Sequence, residues 1–216
     1  MTVACHRAVV SSFREIADME ITYKDIILRD MIESDIEDWI RWETVDTEWM
    51  DWDGPDIPSE PINESEYRSE LLEFVRTPRV LGFRNFFEIA TADGRHLGRI
   101  NSYALDDSLE WQRWPKDGFP ERAAIGIDIC ESSVWGKGYG TKADAAFAAY
   151  FLENGIKNIY TQTWSGNIRM VRCAEKIGFV ECNRIIGNRH IRGGIYDGLT
   201  FQLDLDRFHK YLQEHS

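Results

Sequence analysis

The chain has 216 residues, 43% of them hydrophobic and eight of them tryptophan, which is enough for one full-sized core. No apolar run reaches the roughly 18 to 20 residues of a membrane span. A net charge of −12, from 37 acidic and 25 basic residues, argues against nucleic-acid or anionic-membrane partners. The same acidity suits a cationic small molecule or a basic peptide, and equally suits plain solubility.

The N-terminal stretch "MTVACHRAVVSSFREIADME" lacks a charged start followed by a long apolar run, so it does not read as a signal peptide. Residues 1–20 read as an added arm, and residues 21–216 as one domain. The four cysteines, Cys5, Cys130, Cys173 and Cys182, form no C-x-x-C pair, and no histidine cluster has metal-ligand spacing. A chain of this size needs no disulfide staples, so a reducing cytoplasm and no metal are the expectation.

"DIILRDM" (25–31) reads as a first strand. "ESDIEDWIRWE" (33–43) reads as a helix with Ile36, Trp39 and Ile40 on one side and Ser34 as its N-cap. Residues 46–61 carry three prolines and a glycine and read as a loop. Residues 63–76 resume a helix. Residues 85–105 read as a hairpin turning at Ala92-Asp93-Gly94, followed by a polar and aromatic loop over 106–122. "AAIGIDIC" (123–130) is the clearest strand, with Ile125, Ile127 and Ile129 on one face. A helix over roughly 138–153 follows, then a strand (158–164), a helix (167–179) closed by Gly178, and a second hairpin (180–205) around Gly193-Gly194. This order points to a single mixed α/β sheet.

Between the clearest strand and its helix lies "VWGKGYGTKADAAFAAYF" (134–151). Glycine costs a helix up to about 1 kcal/mol against alanine, so a ligand needing bare backbone is the natural explanation. Unpaired N–H groups and the helix dipole make such a turn an anion site. A Walker A loop fails, because Gly138 stands where Ser or Thr is required after Lys137. A G-x-G-x-x-G dinucleotide fingerprint fails, because Thr141 replaces its third glycine. The third class, a turn for the pyrophosphate of coenzyme A, expects a strand end, a short x-x-G-x-G turn and a helix, as here, and a nucleotide-dependent oxidoreductase stays a distant third reading.

The run Trp135-Gly136-Lys137-Gly138-Tyr139-Gly140-Thr141 resembles the W-G-K-G-Y-G/A-T form of the GCN5-related N-acetyltransferases (GNAT), in their ribosomal-protein alanine acetyltransferase-like branch. "NIRMVRCAEKIGF" (167–179) is similar to the family's N-x-R-A-x-x-x-Y-E-K-x-G-F at Asn167, Arg169, Glu175, Lys176, Gly178 and Phe179. The resemblance is firm over 123–205 and looser before. It implies a mixed, mostly antiparallel sheet of about six to seven strands, flanked by helices and splayed at a cofactor cleft. It implies acetyl-CoA as cosubstrate. The backbone of Ile129, Cys130 and Glu131 would meet the pantetheine arm. The turn from Trp135 to Thr141 would hold the pyrophosphate on its N–H groups, and Asn167 would face the pantetheine.

The implied activity is acetyl transfer to a primary amine of a small molecule or a peptide N-terminus. The alternative is a catalytically silent acyl-CoA or amine-binding module on the same fold. Asp128 and Glu131 are the base candidates, Asp128 being expected among apolar neighbours that raise its proton affinity. The family's tyrosine acid falls on Ala174, so Tyr196, Tyr139 or water must protonate the thiolate. Aromatic faces and carboxylates in "DTEWMDWDGPD", namely Trp49, Asp51, Trp52 and Asp53, would hold an ammonium group, with Trp111 and Trp114 closing the same cleft. A homodimer is left open.

Overall fold

The computed structural model describes residues 18–56, 60–77 and 82–215. The proposed arm therefore lies almost wholly outside the described residues. Nine strands form one sheet: β1 (Glu20–Tyr23), β2 (Ile26–Arg29), β3 (Phe86–Thr91), β4 (His96–Leu105), β5 (Trp111–Gln112), β6 (Ala123–Ile129), β7 (Ile159–Trp164), β8 (Phe179–Ile191) and β9 (Gly194–Leu203). Their order is β1-β2-β3-β4-β6-β7-β9-β8, with the two-residue β5 on β4. Only β6–β7 is parallel. The expected six to seven strands become nine because β1 precedes the first patterned run and β5 is a brief pairing inside the polar loop.

Among the described residues five helices flank the sheet: α1 (Asp35–Thr44), α2 (Glu64–Arg76), α3 (Tyr139–Glu153), α4 (Ile168–Ile177) and α5 (Leu205–Glu214). The sequence reading assigned no helix to the C-terminal residues. There Asp204 caps α5 through the Arg207 N–H, and Phe208 and Tyr211 reach the core. Alanine spacing along α3 lets it lie close on the sheet, where Phe147 and Phe151 are wholly buried with Ile89, Leu97 and Ile100. The opposite face is covered by α1, α2 and a 3-10 turn at Thr47–Asp51, which bury Trp39, Trp42, Trp49 and Cys130 together. Among the described residues no helix is long and apolar enough to cross a membrane.

Ser34 makes no capping bond to α1. Asp35 does the tying instead: its carboxylate accepts from the Ile32 N–H at 2.9 Å and takes both terminal nitrogens of Arg29. A second anchor is His96 at the start of β4. Its Nε2 lies 2.9 Å from Glu88, which is 0% exposed, and its Nδ1 lies 3.3 Å from Asp38 and 3.6 Å from Asp35. The rings of Trp39 and Trp42 pack against it. Burial opposes a charge there, but the hydrogen bonds to Asp38 and Glu88 and the charges of Glu88 and Asp35 outweigh it. The imidazolium is held with a pKa of about 9.

Candidate active site

β6 and β7 pair only at Ala123–Ile159, Ala124–Tyr160 and Ile125–Thr161. Past that point β6 stays with β4 as far as Ile129, while β7 follows β9 to Trp164. The two strands part, and α3 begins at the mouth of the gap. Gly136 and Gly138 adopt left-handed backbone, φ +77° and +84°, and a Cβ on either would meet nothing within 4 Å. Both are glycines for conformation, and both leave room above the chain.

Gly140 differs. Its backbone is ordinary, and a Cβ there would touch Ile127, Ile129 and Cys173 at 3.7–3.9 Å. It faces the protein interior, which corrects the expectation that all three glycines bare the chain to a ligand. The start of α3 has no side-chain cap, whereas Asn63, Asn167 and Asp204 cap α2, α4 and α5. Its first backbone bond runs from the Lys142 N–H to the Gly138 carbonyl. Among the described residues, the N–H groups of Gly138, Tyr139, Gly140 and Thr141 have no backbone acceptor. Uncapped donors under open space fit a diphosphate. Lys142 is committed to Asp25 at 2.6 Å, and Tyr139 lies under its ammonium group.

The rest of the expected cofactor rim is more heavily engaged within the protein. The Ile129 carbonyl accepts from the Trp135 indole at 2.6 Å, and the Glu131 N–H donates to Leu97. Cys130 is buried in the core beneath α1, and burial pushes its thiol well above the usual range. The Glu131 carboxylate ties Ser133, Arg95 and Arg41 together, which joins α1 to the glycine turn. Asn167 both caps α4, accepting from the Met170 N–H at 3.2 Å, and donates to the Trp52 carbonyl at 3.3 Å.

Across the gap, Asp128 points to the α1 side, where it does not find the expected apolar neighbours. It is paired with Arg99, its cross-strand partner on β4, whose Nε lies 2.8 Å away. Arg99 in turn lies against the rings of Trp39 and Trp49. Asp53, on the loop after the 3-10 turn, has no hydrogen-bond partner for its carboxylate among the described residues. Although Asp53 is an exposed residue at the rim of the cleft, desolvation by the chain around its carboxylate and then the Asp128 charge raise it, against Arg99 and Arg189, to a pKa of about 6. Burial raises Glu43 as well, with Arg99 opposing. Burial and then the charge of Asp53 raise the Tyr103 phenol, which donates to Gln162.

The expected acceptor residues divide. Trp49 is buried and bonds the Trp42 carbonyl, so it forms a wall. Trp52 stacks on Trp164 and lies under the guanidinium of Arg169, which also covers Trp135. Asp51 turns to Arg192, and Asp56 pairs with Arg189, so the β8–β9 hairpin fastens the loop. Tyr196 packs edge-on against Trp164 at the same mouth. Trp111 and Trp114 do not close this cleft: Trp111 is 61% exposed, and Trp114 stacks on Phe83 and meets Phe151 on the α3 side.

The sequence reading missed Glu43, Arg99 and Tyr103. The signal was present in "GRINSYAL", where Arg99, Asn101 and Tyr103 alternate along one face of a strand. They lie opposite Asp128, Gly126 and Ala124. Among the described residues no His, Cys, Asp or Glu group is arranged to hold a metal.

Comparison with known proteins agrees with this geometry. The family model for the acetyltransferase (GNAT) domain matches residues 25–180. Aminoglycoside N(6')-acetyltransferases type 1 of Klebsiella pneumoniae and Serratia marcescens are each 33% identical over 93 residues, covering 42% of this chain. The match thus spans less than half, 45%, of those relatives' length. A GNAT-family acetyltransferase from Bacillus anthracis superposes with a TM-score of 0.61 at 18% identity, over 86% of this chain and 98% of its own. The ribosomal-protein-S5-alanine acetyltransferase of Vibrio fischeri superposes with a TM-score of 0.60 at 15% identity, over 85% and 94%. At these identities the two structures attest the fold.

Proposed function

The chain belongs to the acetyltransferase (GNAT) family, and on that premise we propose that it acetylates a primary amine from acetyl-CoA. The observation that carries this reading is the uncapped, left-handed glycine turn at the mouth of the β6–β7 gap. The turn and the first N–H groups of α3 bind the pyrophosphate, and the cofactor supplies the acetyl thioester. The glycine turn favours the ribosomal-protein alanine acetyltransferase-like branch, and the sequence match favours aminoglycoside enzymes. We therefore read the acceptor from the pocket.

The amine enters from the α1 side, between Asp53, Glu43 and Asp128. A lysine-type amine costs about 4.6 kcal/mol to deprotonate at pH 7, and an α-amine only about 1 kcal/mol. Asp53, with its carboxylate unbonded and its pKa near neutrality, takes that proton. Asp128 stays paired with Arg99 at the same site. Trp49 and Trp52 wall the acceptor, and Tyr196 or water returns a proton to the thiolate. Glu131 holds the turn to α1. The three described cysteines are free thiols, in keeping with a cytoplasmic site of action.

The silent binding module is the second reading, and one observation favours it: the position of the family's tyrosine is Ala174, which is fully buried in the core. Thiol release from acetyl-CoA over polyamines, amino acids, aminoglycosides and N-terminal peptides decides. Release with at least one amine upholds the enzyme. Cofactor binding with no release from any amine overturns it in favour of the module.

A further inference from the structure

The acceptor side of the cleft holds charges of both signs. Glu43, Asp53 and Asp128 supply carboxylates, and Arg99 sets a guanidinium within their electrostatic reach. Two indoles flank it, with the Trp39 and Trp49 ring centres 4.9 and 5.5 Å from its central carbon. Its Nε is spent on Asp128. Among the described residues, Nη1 and Nη2 make no hydrogen bond. The side chain is 27% exposed, with its guanidinium against the two rings.

Holding Asp128 by one bond needs only one donor. A rigid fork with its terminal nitrogens unspent matches the two oxygens of a carboxylate. Resting on the amine acetylation proposed above, we infer that Arg99 is a specificity determinant and that the acceptor is an amine which also carries a carboxylate. The acceptor's carboxylate lies on the terminal nitrogens of Arg99. Its amine lies among the protein carboxylates, where Asp53 receives the proton. A zwitterion satisfies both signs of charge at once. A dense polycation gains from the carboxylates but sets one of its own charges against the guanidinium.

Matched pairs test this: α-amino acids beside their decarboxylated amines, such as lysine with cadaverine, tyrosine with tyramine, and alanine with ethylamine. Thiol release is followed at fixed acetyl-CoA, and calorimetry with coenzyme A present reads binding even without turnover. In at least one pair the amino acid is preferred tenfold or more in kcat/KM or in Kd. Arg99→Gln brings that ratio close to one, mainly through KM, and Arg99→Lys restores part of it. A merely structural role would weaken both members alike and leave the ratio intact, which overturns the inference. So does a preference for the bare amine, or no preference in any pair. Release from bare amines alone would overturn the inference and leave the acetyltransferase standing. A binding preference without any release would uphold the carboxylate's place on Arg99, and silence across the wider amine panel as well would sink the acetyltransferase.

Discussion

Raising the pH from 6 to 10 should remove a stabilisation centred on His96. In the folded chain its pKa is about 9, against 6.5 for an unperturbed imidazole. The folded state holds the proton more tightly, so the contribution is complete below pH 6.5 and is lost as pH climbs through 9. The difference between 9 and 6.5, at 1.36 kcal/mol per pH unit, gives about 3 kcal/mol. For a domain of this size that is a fall in Tm of about 6 to 12 °C. Asp35, Asp38 and Glu88 face the ring, and Arg29 and Arg41 pair with Asp35 and Asp38.

His96→Gln keeps a hydrogen-bond donor beside Glu88 but removes the charge, which leaves a buried carboxylate uncompensated. At pH 6 it should cost about 3 kcal/mol or more, and its stability should vary less with pH between 7 and 10. Urea unfolding of both proteins at intervals of half a pH unit gives the comparison, with tyrosine and cysteine titration common to both. Parallel curves above pH 7 would refute the reasoning, because the alkaline loss would then belong to other groups.

Asp53 should place an acid limb near pH 6 on kcat/KM, since its ionised fraction falls roughly tenfold between pH 7 and pH 5. Asp53→Asn should lower kcat/KM by about 100-fold or more and reduce the slope of its logarithm against pH by one below pH 6; an unchanged limb would assign the titration elsewhere. Gly138→Ala forces an L-residue into left-handed backbone, at about 1–2 kcal/mol, and should weaken acetyl-CoA binding about tenfold by calorimetry. Gly140→Ala puts a methyl into ordinary contact and should stay within about threefold of the parent. Equal losses in the two would mean that the turn's conformation is not what the cofactor reads.

Periodicity exposed the elements that are regular. Alternating isoleucines marked β6, and the alanine-rich run marked α3, because each signal lies within a few residues of chain. The ends were harder. β1 gains its partner only by pairing with β2, and α5 is held by Phe208 and Tyr211 in a core assembled from the whole sheet. The glycine turn was legible because its conformation is local: Gly136 and Gly138, both with positive φ, announce themselves in sequence. The acceptor side was not, because its chemistry is made across strands. Asp128 is 29 residues from Arg99, and only the β4–β6 register sets them together. Arg99 could be read as a lone charge in a strand until that register was known.

Trp52 carries one further consequence. Its carbonyl takes the side-chain amide of Asn167, and its ring leans on Trp164 and Arg169. That amide keeps a second N–H for an occupant of the cleft, and the segment it holds is fastened to the last hairpin on either side of Trp52, through Asp51 and Asp56. The same carbonyl also takes the Trp164 indole N–H at 3.4 Å, so one backbone oxygen ties the loop both to β7 and to the head of α4.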